Sequence, residues 1–325
     1  MKKRYFAYVL AVVLTAFSCS EKVEVHVKNM DRTYLTVEGF LTDVPFMQQT
    51  ITLSESVGYF DADTVPAVRG AVVTVDDGSK KVKYEEVSPG VYSAPRGFHG
   101  TPGNTYHLSI DAEVAGEKRH YEAESTMPEP GFQIDSIDYA YSGIMGIDST
   151  WTIAMWGKDA PEPGFFYASM AVNGNSYPYD LSLAMDDKYF SGQRITAFPI
   201  GVMLQTARNQ ELYGPCCKFL EKGDVLTFTA LTLPKDCFDF FFSFASNLSG
   251  SAIPLFSSQP ANCPTNIAGG DAMGYFAACP VSMASVVVDD PLRPFFRYQQ
   301  ALLVSGVPVS PTAEVPAGAA FNREH

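Results

Sequence analysis

The chain has 325 residues with 23 basic against 36 acidic side chains, a formal net charge of −13; at roughly 150 residues per domain that length predicts two domains. A hydrophobic fraction of 46% with 13% aromatics and only 18% charged residues is enough for a buried core and excludes wholesale disorder. The acidic balance leaves little Lys or Arg to neutralise phosphates, which argues against a nucleic-acid partner, and the 25 Gly and 22 Pro follow no repeat, which excludes collagen and solenoid architectures.

Residues 1–18 carry the first address. Lys2, Lys3 and Arg4 precede an apolar run from Phe6 to Phe17, and Ala16, Phe17 and Ser18 lead into Cys19. That order of charge, grease and small residues is a secretory signal, too short to span a bilayer core about 30 Å thick. A cysteine directly after the small residue predicts lipidation at Cys19, although the usual Leu three residues before it is missing; the competing reading is ordinary cleavage at the same bond. Several acyl chains, at ~0.8 kcal/mol per buried CH₂, hold more firmly than one. Cleavage removes three basic residues and no acid, which takes the mature chain from −13 to −16. Residues 19–33 then read as a lipidated linker.

Residues 34–127 alternate as strands: Tyr34–Leu41, Gln49–Leu53, Ala71–Val75, Lys81–Glu85, Thr105–Ile110 and Arg119–Ala123. Short β-branched and aromatic runs with turn signals every 8–12 residues predict an immunoglobulin-like β-sandwich. Asp77-Gly78 between two of them predicts a tight hairpin. Met127-Pro128-Glu129-Pro130-Gly131 breaks both strand and helix and marks a boundary. Residues 132–290 are β-rich again, with strands at Trp151–Trp156, Phe165–Val172, Ser176–Leu181, Val225–Leu231, Ala272–Ala278 and Met283–Val288, and a hairpin turn at Asn173-Gly174. One helix, about 234–249, is framed by Pro234 and Gly250, with Phe238, Phe241, Phe242, Ala245 and Leu248 on one face. Phe240 and Phe244 fall on another, which predicts a helix covered on more than one side. Residues 291–325 are rich in Pro, Ala, Val and Gly and read as a loosely ordered tail. The fold class is therefore mainly β: two sandwich-like domains, the second with one buried helix.

Besides Cys19, the cysteines are Cys216, Cys217, Cys237, Cys263 and Cys279. Adjacent cysteines close on each other only with strain, so the expected bridges are Cys263–Cys279 and Cys217 (or Cys216) with Cys237, leaving one thiol. No Cys-x-x-Cys pair or nearby His supports a metal.

The order YLTVEGFLTD, QTITLSES, GAVVTVDDG, PGVY, PGNTYHLSI, EAESTMPEP with IDSI, and QPANCPTNIAGGDAMGYFAA at 259–278 resembles an outer-membrane lipoprotein family of Bacteroidota known as domain of unknown function 4249. The resemblance covers the mature chain to about residue 288. It implies a lipid anchor in the outer membrane and a neighbouring TonB-dependent receptor as partner, and it assigns no catalytic residue. It also implies periplasmic O-glycosylation at Asp-Ser/Thr-x sites, for which Thr64, Ser136 and Ser149 fit.

No nucleophile elbow, zinc-protease helix, phosphate loop or dinucleotide fingerprint occurs, so no cofactor, catalytic residue or metal site is expected. His107 and His120 fall in strands as cross-strand candidates, and His99 sits in a Gly-bounded loop. The acidic pairs Asp61/Asp63, Asp76/Asp77, Asp186/Asp187 and Asp289/Asp290 lie in turn-like stretches, where Asp caps backbone. Gln259, Asn262 and Asn266 read first as side chains that fix an irregular loop by bonding its backbone. Their second reading is a recognition surface with Tyr213, Phe256, Tyr275 and Phe276. The sequence thus predicts a non-enzymatic accessory or binding lipoprotein of the outer membrane, serving a TonB-dependent transporter in nutrient uptake. The alternatives are a cell-surface adhesin or structural lipoprotein, and a glycan or peptide hydrolase, which requires two convergent carboxylates in a cleft.

Overall fold

Strict alternation builds the first half of the molecule. The computed structural model describes residues 32–57, 65–141, 150–176, 183–188, 191–204, 220–249 and 263–297. Strands β1 (Leu35–Thr42), β2 (Thr50–Glu55), β3 (Val72–Asp76), β4 (Lys81–Ser88), β5 (Val91–Ser93), β6 (Thr105–Val114) and β7 (Glu117–Thr126) turn every second side chain inward. The β3–β4 hairpin closes through Gly78 at φ 82°, with Asp77 Oδ1 accepting from the Ser79 and Lys80 amides. With β15 (Ala272–Cys279), these strands form one sheet in the order β15-β1-β2-β5-β4-β3-β6-β7, folded over a core that includes Leu35, Val37, Leu53, Val73, Ile110 and four tyrosines. Two buried hydroxyls are satisfied: Tyr92 donates to Val68 O at 2.9 Å, and Tyr106 accepts from the Thr101 amide at 2.7 Å, as buried Tyr requires.

The edge partner of β1 comes from the other end of the chain. Strand β15 (Ala272–Cys279) runs parallel to β1, with Leu35 opposite Ala272 and Thr42 opposite Cys279. It therefore belongs to the first sheet rather than to the second domain expected over 132–290. Parallel neighbours need a long crossover, and here it takes in the rest of the first unit and most of the second, everything between Thr42 and Ala272. The approach is close enough to demand glycine: Gly274 has φ 89°, and a Cβ there would collide with Val37 O.

The second unit packs two sheets face to face. One holds β11 (Asn175–Ser176), β10 (Phe165–Val172), β14 (Val225–Thr232) and β16 (Val281–Val287), with β12 (Leu183–Asp186) also on β10; the other is β13 (Arg194–Leu204), β9 (Thr150–Asp159) and β8 (Phe132–Tyr141). Asn173 and Gly174, at φ 52° and 78°, make the expected two-residue turn between β10 and β11. Trp151, Ile153, Met170, Leu226 and Phe228 fill the core between the sheets. The chain is mainly β with one helix among the described residues, in two sandwich-like units, as the sequence indicated.

Residues 289–297 are docked, not loose, so the expected tail from 291 is corrected as far as the described residues reach. Tyr139 donates to Asp289 Oδ1 at 2.7 Å, the Trp151 indole N–H to Pro291 O at 2.6 Å, and the Tyr141 amide to Arg293 O at 2.7 Å. Arg293 is buried over the Tyr139 ring and paired with Asp138.

Helix α1 (Lys235–Ser249) lies where the two units meet. Phe238 packs on Phe165, Phe241 on Tyr167 and Phe40, and Phe240 on Tyr275. Phe238 and Phe240 thus pack against different units, while Phe242 and Phe244 are 58% and 49% exposed. No helix among the described residues is long and apolar enough to cross a membrane.

Candidate functional site

The site begins with two places where the second unit's strands end. β9 finishes at Asp159, and the turn that follows brings Gly164 back under β10. There the Gly164 amide donates to Asp187 Oδ1 at 2.8 Å, just past the end of β12. The Gly192 amide donates to Asp159 Oδ2 at 3.2 Å, and the Asp159 amide to Gln193 O at 3.1 Å, at the start of β13. Gly164 has to be small: a Cβ would come within 2.8 Å of the Phe166 ring. These turns hold two carboxyl groups side by side, 1% and 3% exposed.

Beyond them lies a cavity of about 380 Å³ between the two sheets, within the range of small-molecule sites. Its lining is apolar, with Phe132, Met155, Phe166, Met185, Ile195 and Phe228 prominent. Asp159 and Asp187 are its acidic groups, and no donor reaches Asp159 Oδ1 or Asp187 Oδ2 from other residues. Burial, then the Asp187 charge beside it, pushes the Asp159 carboxyl up to about 6, because like charges side by side in so dry a place oppose each other's ionisation. Two carboxylates supply too few oxygens for a hard cation, which takes six or more, and among the described residues no group of three or more His, Cys, Asp or Glu can hold a metal.

Few of the residues singled out by sequence lie here. Cys19, Thr64, Ser149, Tyr213, Cys216, Cys217, Phe256, Gln259 and Asn262 fall outside the described residues. Ser136 is exposed at an irregular step of β8. Asn266 takes the structural role: its amide donates to Glu124 O at 3.0 Å and Phe276 O at 2.7 Å, and its Oδ1 accepts from the Phe276 amide at 3.1 Å. It thereby stitches β7 to β15. Tyr275 and Phe276 are 5% and 0% exposed, so they are core side chains and not a recognition surface.

The cysteine expectations are corrected too. Cys237 and Cys279 are buried free thiols, so neither Cys263–Cys279 nor a bridge from Cys217 or Cys216 to Cys237 is formed. Thr265 bonds to Gly274 O and Asn266 to Phe276, so the chain before Thr265 runs toward the start of β15, while Cys279 stands at its end. Burial pushes both thiols up, which leaves them poorly nucleophilic. His107 and His120 are not opposite one another: His107 faces Glu124 and His120 faces Asp111. His120 bonds to Asp111 at 2.7 Å and Glu122 at 3.1 Å.

Sequence reasoning missed Asp159 altogether. Asp187 was visible only as the neighbour of Asp186, and the two sit on elements far apart in the chain. The one local signal is the stretch Asp159-Ala160-Pro161-Glu162-Pro163-Gly164, an acid at a strand end before a rigid turn.

A family model described as domain of unknown function DUF4249 matches residues 20–285. The chain belongs to this family. The match starts one residue after Cys19 and ends within β16, so it takes in both units and every wall of the cavity. Comparison with curated proteins gives no match.

Proposed function

We propose that this DUF4249 chain is a non-enzymatic binding lipoprotein of the outer membrane, held through Cys19, that serves a TonB-dependent transporter in nutrient uptake. The observation that carries the reading is the apolar cavity of about 380 Å³ between the sheets of the second unit, the form a small-ligand site takes. The signal-like start of the chain and the family resemblance support the anchor and the partner.

Three measurements test the proposal. Ligand-dependent stabilisation of the purified mature chain is expected, and it should be lost when Ala168→Trp fills the cavity. Pull-down from solubilised native membranes should recover an outer-membrane β-barrel, and Cys19→Ala should move the protein to the soluble fraction. A chain that recovers no barrel and still sediments with membranes after Cys19→Ala overturns the anchor and partner; a cavity that no small molecule occupies overturns the binding role.

A further inference from the structure

We infer that the cavity of the second unit selects an organic cation, an apolar body carrying one protonated amine, whose ammonium group sits between Asp159 Oδ1 and Asp187 Oδ2. This rests on the binding role proposed above and names the ligand class of the same site.

The argument is one of unmet charge and unmet bonds. Each carboxyl group spends one oxygen on a backbone amide, from Gly192 or Gly164, and each leaves its other oxygen without a donor while being at least 97% buried. Buried acceptors of this kind are costly unless paired. Among the described residues, no ion pair joins either carboxylate to a basic side chain. Arg194 on β13 lines the cavity, but its guanidinium binds Asp135 of β8 at 3.3 Å and is 73% exposed. Lys188 stands 3.9 Å from Asp186. The other charged groups on the surrounding elements are Lys158 beside Asp159 on β9 and Glu162 in the turn after it.

An ammonium group answers both deficits at once, because it has three donors and one positive charge. A neutral alcohol can supply a bond but leaves the charge unmet, and a carboxylate adds a third negative group. The apolar walls then take the rest of the ligand. The raised Asp159 carboxyl gives the proposal a signature: an incoming ammonium displaces the Asp159 proton, so its binding strengthens as pH rises through about 6.

The test uses the full mature chain made without lipid and three probes of equal length, n-octylammonium, 1-octanol and octanoate, titrated by calorimetry at pH 8 and at pH 5. Octylammonium is expected to bind at least about tenfold more tightly than octanol at pH 8, with a smaller advantage at pH 5 and octanoate weakest. Asp159→Asn combined with Asp187→Asn should bring octylammonium to the level of octanol while octanol binding persists, which shows that the variant is folded. Equal binding of octanol and octylammonium to the unaltered chain overturns the cation inference and leaves the binding role standing. Binding of none of the three overturns the cation inference as well, and the failure of octanol then also counts against the binding role.

Discussion

Replacing Asp159 with asparagine is expected to make the protein more stable at pH 8 and to change it little at pH 4. The native carboxyl is held at about 6, above its ordinary 3.8, first by burial and then by the Asp187 charge. A folded value above the unfolded one means that the folded state binds the proton more tightly. The group's contribution to stability is therefore fully present below the unfolded value, is lost as pH rises toward the folded one, and stays lost above it. A shift of about two units corresponds to about 3 kcal/mol; water at the cavity mouth screens part of it, so a gain of about 1–2 kcal/mol is expected at pH 8. Asparagine keeps the geometry, since its Oδ1 can accept from the Gly192 amide while its Nδ2–H points a donor toward Asp187. Urea unfolding of the mature chain at pH 4, 6 and 8 reads this directly, because Trp151 and Trp156 both lie in β9, the strand that Asp159 ends. Subtracting the unaltered protein from the variant at each pH removes contributions from other titrating groups. A difference that is the same at pH 4 and pH 8, or a variant less stable at pH 8, would refute the account of the acid pair.

Asn266→Ala should cost about 3 kcal/mol, because it leaves the main-chain groups of Phe276 and Glu124 without their partner; hydrogen exchange should show the Phe276 amide opening first. Asp138→Ala leaves the buried Arg293 guanidinium with only the half-exposed Asp289 carboxylate at 3.7 Å, a loss of about 3 kcal/mol by urea unfolding, and adding Arg293→Met should recover a large part of it. The His120 ring, held above its ordinary value by hydrogen bonds from its nitrogens to Asp111 and then Glu122, should titrate by proton NMR above about 6.5 and fall back in Asp111→Asn. Its small stabilising effect is present below the ordinary value and is lost as pH rises through the raised one.

The strands most legible in the sequence are those whose alternation is unbroken. β6 shows inward and outward residues in strict turn over ten positions, β7 does so from Arg119 to Thr126, and β10 and β14 do so over eight. β8 escaped because its register slips between Ile134 and Ser136, and β13 because Pro199, Gly201 and the positive φ of Ala197 interrupt its pattern. Pro199 is tolerated because β13 is an edge strand of its sheet. The placing of β15 was illegible for a different reason. AMGYFAAC looks like any buried strand, and nothing local tells it to seek β1 instead of its sequence neighbour β16. The candidate site was hidden in the same way, since Asp159 and Asp187 meet only after the two sheets of the second unit have packed. Asn266, by contrast, was readable in kind: an Asn amid a Gly-rich irregular stretch bonds backbone, and here it does so across two strands.

The parallel seam between β1 and β15 sets an order of events for the nascent polypeptide. Synthesis delivers Leu35 early and its neighbour Ala272 near the end, so the N-terminal half emerges with a bare hydrogen-bonding rim that nothing yet produced can cover. Such rims recruit strands from other molecules, and joining segments so distant along the chain is slow. A ribosome that stalls before residue 272, or a protease that clips the carboxyl end, would therefore release a sticky half-product instead of a smaller working protein. A chain of this design needs an escort until β15 arrives.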